Sequence, residues 1–348
     1  MDREAPAGFH QIPPPALIRA EVVPYRLPLQ RAWIAAAATL TERRGALLRL
    51  TDAEGFVGWG DCAPLPSGGN AAAVLAALEA YACRPGSADF EYLPAEVRWA
   101  VETAQCDIAA QRRGLPLARF LNPEAPLDIA SNAALGPLDD ACATRAIEAR
   151  QAGYALGKIK VGIGPVDAEL ECLRAVAAAS GLRLRLDANR AWSDDEAARF
   201  LHAIAPLPID AVEEPLAAPT PEKLARLQAG LPYALAVDES LPQLGSTALI
   251  DAHAVRRLVL KPARLGLQAS QAVARQARAA GLEVVITAVV DSAIGVTAAA
   301  HLAAALAPER AHGLGTGAWL AADVAAAPPI IGGRLHLPHL PGLGIHPR

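Results

Sequence analysis

Residues 182–190 read LRLRLDANR. Leu182, Leu184 and Leu186 alternate with polar residues, the period-two pattern of a strand with one apolar face. The leucines point toward a covering helix layer, and Asp187 and Asn189 fall on the opposite side. The same design recurs along the chain. Lys160 in GKIKVG, Glu213 in AVEEP, Asp238 in LAVDES, Lys261 in LVLKP and Thr287 in VVITAVV each close an apolar run. From Lys160 through Asp187 to Thr287 the intervals are 27, 26, 25, 23 and 26 positions. Stretches such as DAELECLRAVAAAS and SDDEAARFLHAIA lie between them and read as helices. A strand, its loop and its return helix occupy roughly 25–30 residues. Regular repetition of that unit predicts a (β/α) barrel, with chemistry at the C-terminal ends of its strands.

Strand candidates end near Asn132, Lys160, Asp187, Glu213, Asp238, Lys261, Thr287 and Gly315, eight in all, as a closed barrel requires. An open doubly wound sheet would need a glycine-rich phosphate turn after its first strand, and SNAALGP is not one. The barrel is expected over residues 125–320. Residues 1–124 read differently, as strands followed by helices. ALIRAEVVPYRLPL and RGALLRLTDAEGFVGWGDCAPLP alternate apolar and polar residues, with DAEG as the turn between two strands. Helical periodicity covers Asn70–Tyr81 and Pro94–Gln111. This gives an α+β capping domain with a tail over residues 1–15 and the linker NPEAP behind it. Residues 321–348 are turn-rich and are expected to pack back on that domain.

The chain has 348 residues, 53% of them hydrophobic, and a formal net charge of −4. No basic stripe marks a nucleic acid or an anionic membrane surface as a partner. The five cysteines are scattered without a CxxC pair, which fits a reducing compartment. MDREAPAGFHQIPPP lacks the apolar core of a signal peptide, and no apolar run is long enough to span a bilayer. A cytoplasmic protein, monomer or homo-oligomer, is expected.

Alternation also sorts the acids. Glu213 shares a face with Ala211 and Glu214 with Val212, so Glu213 is the inward member of the pair, and Asp238 falls in with Ala236. Any one of Asp187, Glu213 and Asp238 could be a strand-end cap. Three at equal intervals make an all-oxygen ligand set for a hard divalent cation, Mg²⁺ first and Mn²⁺ as the alternative. Lys158 and Lys160 share one face ahead of these strands, and Lys261 follows them on the far side. Repulsion between paired lysines lowers the pKa of the inner one toward the range of a general base. A small carboxylate substrate bound to the metal would have its α-proton acidified.

KIKVG, LRLDANRAW, VEEP, VDES, LKP and GLGT together resemble the enolase superfamily in its muconate-lactonising-enzyme branch. The resemblance covers nearly the whole chain and implies a mixed α+β capping domain followed by a modified TIM-type barrel. It implies metal ligation by Asp187, Glu213 and Asp238, supported from behind by Asn189 and Glu239. Lys160 matches the acid/base lysine, Lys158 its neighbour, and Lys261 the lysine of the sixth strand. Within the branch, the DANRAW, KP and GWGDCAPLP contexts are most similar to the o-succinylbenzoate synthase family of menaquinone biosynthesis. There the implied reaction is syn elimination of water from 2-succinyl-6-hydroxy-2,4-cyclohexadiene-1-carboxylate. Lys160 would move the proton, and Lys261 would stay cationic over the ring.

Substrate contacts are expected from Thr287, Asp291, Ser292, Gly313 and Gly315, although TAVVDSAIG departs from the serine-rich stretch usual after the seventh strand. Asp291 and Ser292 also suit a helix cap. GLGTG reads as a tight barrel loop, Trp192 as rim packing, and His336, His339 and His346 as tail residues without a ligand set. Segments Arg26–Thr41 and Leu65–Asn70 are expected to close the site. Three rivals share the fold: N-acylamino-acid racemase, dipeptide epimerase and muconate-type cycloisomerase. HGLGTGAW lacks the Asp-x-Asp of many dipeptide epimerases. From another class, Lys261 could serve a Schiff-base aldolase.

Overall fold

A computed structural model describes residues 16–35, 38–65, 70–85 and 90–348. The expected tail lies outside the described residues, as do residues 36–37 and 66–69 of the two expected closing segments.

Three antiparallel strands come first, β1 (Leu17–Ala35), β2 (Ala38–Asp52) and β3 (Val57–Cys62), in the order β1-β2-β3. Much of the segment expected as a loop over Arg26–Thr41 is therefore hairpin, with pairs running from Arg26–Arg44 to Ala35–Ala38 across an irregularity after Pro28. Alternation identified the strands, but Pro28 in YRLPLQRAW masks the continuation of the first. Helices α1 (Ala71–Cys83), α2 (Ala95–Arg112) and α3 (Leu117–Leu121) follow. Helix α2 packs on β3 at very close range. A Cβ at Gly58 would fall 2.0 Å from the Ala104 carbonyl oxygen, and one at Gly60 only 1.8 Å from that of Ala100. The VGWGD spelling is thus a packing requirement: glycine alone admits the helix backbone.

Beyond β4 (Asp128–Ala130) and β5 (Ala133–Pro137) the chain alternates: α4 (Cys142–Gln151), β6 (Leu156–Lys160), α5 (Val166–Ser180), β7 (Arg183–Asp187), α6 (Asp194–Ala203) and β8 (Ile209–Glu213). Then come α7 (Pro221–Ala229), β9 (Ala234–Val237), α8 (Leu241–Leu244), α9 (Ser246–Asp251), β10 (Arg257–Leu260), α10 (Pro262–Leu265), α11 (Leu267–Ala279), β11 (Glu283–Ile286) and α12 (Ala293–Leu306). Local chemistry sets these boundaries. Ser193 and Glu196 form a capping box on α6, and Thr220 caps α7 with Pro221 in the first turn. Gly181, at φ 63°, ends α5. Leu182, Leu184 and Leu186 are fully buried in the core shared by the strands and helices.

Seven parallel strands form one sheet in the order β5 to β11. Its two edges meet through a short bridge: Thr287 pairs with Gly313 and Ser131 with His312, both parallel. Two expectations are corrected here. The first barrel strand does not end near Asn132, because β4 pairs antiparallel with β13 (Arg334–His336), beside β12 (Ile330–Ile331), and the barrel strand is β5. The eighth does not run to Gly315, where a 3-10 turn spans Gly315–Trp319. Glycines leave little side chain to hold a ladder there, and a Cβ at Gly313 would lie 2.9 Å from Thr287 Cγ2.

The last segment touches both halves. Leu117 N–H donates to Gly342 O at 2.8 Å, while β13 pairs with β4. Carboxylates of the first unit bind backbone N–H groups far along the chain. Asp61 accepts from Ser292 at 3.0 Å, Glu102 from Leu267 at 2.5 Å, and Asp107 from Leu343 at 2.8 Å. No described helix is long and apolar enough to cross a membrane.

Candidate active site

Strand register assembles the site. Lys160 pairs with Asp187 and Asp187 with Glu213, so three consecutive strands place these residues in one row. Asp238 follows β9, Lys261 follows β10 and Thr287 follows β11, all at the C-terminal end of the sheet.

Ammonium groups lie among the acids. Lys158 Nζ is 3.0 Å from Asp187 Oδ2 and also hydrogen-bonds Glu213 Oε2. Burial disfavours its charge, yet Asp187, Glu213 and Asp238 outweigh burial and hold its pKa well above the ordinary value. The expected repulsion between Lys158 and Lys160 is therefore not what governs Lys158, which sits between carboxylates. Lys261 Nζ lies 2.6 Å from Asp238 Oδ2, and that acid likewise raises its pKa against burial. Lys160 donates instead to a neutral amide, Asn189 Oδ1, at 2.8 Å. Burial pulls Asp187 upward, but Lys158 and Lys160 dominate and its pKa is lowered.

The supporting residues are tightly specified. Asn189, left-handed at φ 45°, donates its backbone N–H to Asp187 Oδ1 at 3.1 Å and its amide to Glu239 Oε1 at 3.5 Å. Burial and then the charges of Asp238 and Glu214 push Glu239 up to about 7. Glu214 turns away from the row, accepting from Asp238 N–H at 2.7 Å, Ser240 N–H at 2.9 Å and the Ser240 hydroxyl at 2.6 Å. Glu213 and Glu214 thus lie on opposite sides at the end of β8, as strand alternation predicts.

Among the described residues, no group of three or more His, Cys, Asp or Glu side chains stands in metal-holding geometry. The acids converge on lysines instead. Their chemistry nevertheless suits a hard divalent cation: three carboxylates on adjacent strands, with Glu213 Oε1 buried and lacking a hydrogen-bond partner. Asp187, Glu213 and Asp238 are the residues that would hold such a cation.

Thr287 is buried, its hydroxyl without a hydrogen-bond partner, beside Gly313. Gly315 faces Ile330 rather than the lysines. Asp291 and Ser292, expected as substrate contacts, also make bonds within the fold. Asp291 accepts from Val289 N–H at 3.0 Å and lies 4.0 Å from Arg43, and the Ser292 hydroxyl accepts from Gly295 N–H. The N-terminus of α12 is already taken by Asp61 on Ser292 N–H and Asp323 on Ala293 N–H, each at 3.0 Å. Trp192 packs on Phe200 with ring centroids 4.3 Å apart, as a rim residue should.

A charged layer under the row was missed. Arg185 shares the Asp187 face and donates to Asp210 Oδ2 from Nε at 3.0 Å and from Nη2 at 2.9 Å. Arg257 binds Asp210 and Glu283, and Arg185 Nε approaches Glu213 Oε1 to 3.9 Å. The signal was present in LRLRLD, where positions 183, 185 and 187 share one side. Burial raises Asp210, but Arg185 and Arg257 outweigh it and depress its pKa.

A sequence profile described as Enolase C-terminal domain-like matches residues 141–348. The chain belongs to the enolase superfamily. Its likeness to the muconate-lactonising branch of that superfamily extends through the whole fold. The muconate lactonizing enzyme of Pseudomonas fluorescens, solved with muconolactone, superposes with a TM-score of 0.81 at 24% identity, covering 97% of this chain and 98% of that one. The dipeptide epimerase of Cytophaga hutchinsonii, solved with Mg and D-Ala-L-Val, gives 0.83 at 23% identity over 96% of both chains. Among superfamily relatives, a hydrophobic dipeptide epimerase of Citrifermentans bemidjiense is 30% identical over 93% of this chain and 95% of its own length. An o-succinylbenzoate synthase of Pectobacterium atrosepticum is 29% identical over 84% of this chain and 88% of its own length.

Proposed function

We propose that the protein is a Mg²⁺-dependent carbon–oxygen lyase of the o-succinylbenzoate synthase type, acting in the cytoplasm on 2-succinyl-6-hydroxy-2,4-cyclohexadiene-1-carboxylate. The observation that carries this reading is the character of residues 311–320, AHGLGTGAWL, which bridge the sheet edges beside Thr287 and contain no acid. A dipeptide presents an α-ammonium group that needs a carboxylate partner when desolvated. The nearest acids on either side, Glu309 and Asp323, are engaged with Arg278 and with backbone N–H groups, and Asp291 farther back accepts from Val289 N–H. The succinyl chain of the cyclohexadiene acid carries no ammonium group and makes no such demand on the wall.

Asp187, Glu213 and Asp238 would hold the Mg²⁺ ion, with Mn²⁺ as the alternative. When bound, the cation supplies positive charge to the substrate carboxylate and so acidifies its α-proton. Lys160, oriented by Asn189, removes that proton and returns it to the departing hydroxyl on the same face. Lys261 stays an ammonium on the other flank and stabilises the charge that develops on the ring acid. Its ion pair with Asp238 also weighs against the aldolase alternative, since a Schiff-base lysine must offer a neutral amine.

The relatives named dipeptide epimerases favour a second reading, proton transfer at the α-carbon of a dipeptide with both lysines as bases. One pair of assays separates the two. Dehydration of the cyclohexadiene acid is followed by absorbance, and solvent-deuterium exchange is followed in hydrophobic dipeptides and N-succinylamino acids. Dehydration with kcat/KM above about 10⁴ M⁻¹s⁻¹ supports the synthase. Exchange into dipeptides without dehydration replaces it with the epimerase.

A further inference from the structure

Val290 has φ 56°. Among the described residues it is the only β-branched one in the left-handed region, where Cβ crowds the backbone and such a residue is a true outlier. It is 2% exposed, its side chain packed between Leu27 and Leu320. The contacts that hold this conformation come from all three strands of the N-terminal sheet. Leu27 of β1 covers the side chain. Arg43 of β2 donates from Nε to Val290 O at 3.2 Å, and Asp61 of β3 accepts from Ser292 N–H at 3.0 Å. Arg43 is itself 1% exposed, and its other nitrogens bind Pro64 O at 2.6 Å and Ala63 O. The strained turn follows Thr287 directly at the active end of β11. It also lies near enough to Lys261 for that charge to bear on Asp291.

We propose that Arg43 and Val290 are positioning residues that set substrate specificity. The capping sheet, acting through Arg43, holds residues 288–290 in a strained backbone that forms the wall against which the substrate's remote acyl chain lies. Without the guanidinium on its carbonyl, Val290 relaxes toward negative φ, and the Ala288–Val289 backbone moves with it. The wall can therefore take its shape only when the two parts of the fold are docked. This rests on the reading of the barrel end as the catalytic pocket for an acyl-bearing carboxylate, but the strain itself is testable without turnover.

The experiment compares Val290→Ala with Val290→Gly, which both lose the two valine methyls and differ only in the Cβ that a positive φ crowds. Alanine ordinarily exceeds glycine in stability because it restricts the unfolded chain, and that order inverts where the native φ is positive. Val290→Gly is expected to melt above Val290→Ala in the wild-type background, and the advantage to vanish in Arg43→Lys, which cannot hold three carbonyls at once. In steady-state kinetics, Val290→Ala is expected to keep KM near wild type. Val290→Gly is expected to raise KM about tenfold with kcat within about threefold, the signature of lost positioning rather than lost chemistry. Alanine melting above glycine, or equal KM values in the two variants, overturns the proposal. Failure of the proposed function would show separately, as absence of dehydration by the wild-type protein.

Discussion

Lys261 Nζ stands 2.6 Å from Asp238 Oδ2, joining a sixth-strand lysine to the carboxylate that follows the fifth strand. On the opposite flank Lys160 rests on the neutral amide of Asn189. One lysine is held by a charge and the other by a dipole. That difference suits a fixed cation facing a mobile proton carrier.

Asp238→Asn removes one of three carboxylates that would share a divalent cation, and at the same time the partner of Lys261. Mg²⁺ affinity is expected to fall at least about tenfold in a calorimetric titration. An unchanged titration takes Asp238 out of the ligand set. Treatment with a chelator should likewise abolish turnover, and added Mg²⁺ should restore it.

Lys160→Ala is expected to lower kcat by about 10³ or more, as loss of a general base and acid does. Circular dichroism and the Mg²⁺ titration should match wild type, since among the described residues the Lys160 ammonium bonds only Asn189. Near-normal turnover would reassign the base.

Stability should decline as pH rises toward neutrality. Burial, and then the charge of Asp291, push Asp61 up to about 7, against the lowering effects of the Tyr25 hydroxyl, Ser292 N–H and Arg43. Asp107 is raised to about 6, again chiefly by burial. The folded state then binds protons that the unfolded chain has already released. The free energy of unfolding falls between the ordinary carboxylate range and pH 7, and levels off above it. Asp61→Asn should flatten this slope in urea titrations at pH 5 and pH 8. Equal slopes in the variant and wild type would contradict the buried-acid account.

Gly60→Ala should cost at least about 2 kcal/mol, because overpacking here presses on helix backbone rather than on a flexible side chain. The added Cβ would meet the Ala100 carbonyl oxygen at 1.8 Å, which forces α2 away from β3. A melting temperature like that of wild type would show that the helix shifts freely.

Arg185→Met should destabilise by about 3 kcal/mol, the scale for breaking a buried ion network from one side. Asp210 would keep Arg257 but lose the Arg185 guanidinium. A urea midpoint unchanged at equal slope would mean that the layer contributes nothing to stability.

The parallel sheet and the row of Lys160, Asp187 and Glu213 were legible because both rest on strand periodicity, which is local. Glu213 and Glu214 could be told apart for the same reason. Three things were not legible. The true first strand was hidden because IASNAALG is one apolar stretch that serves two sheets, and only its partners decide where it divides. The engagement of Ser292 N–H depends on Asp61, some 230 residues earlier in the chain, a pairing no local pattern announces. The position of Lys158 between two acids follows from how three strands meet, so spacing suggested repulsion where the fold supplies attraction.

The grip of Asp107 on Leu343 N–H spans 236 residues. During synthesis the early sheet and its helix emerge with that carboxylate already desolvating but with one donor still to come. The first unit can therefore collapse on schedule yet cannot tighten fully until translation has passed the barrel. A ribosome stalled within the barrel should leave a nascent chain whose opening segment remains open to proteases.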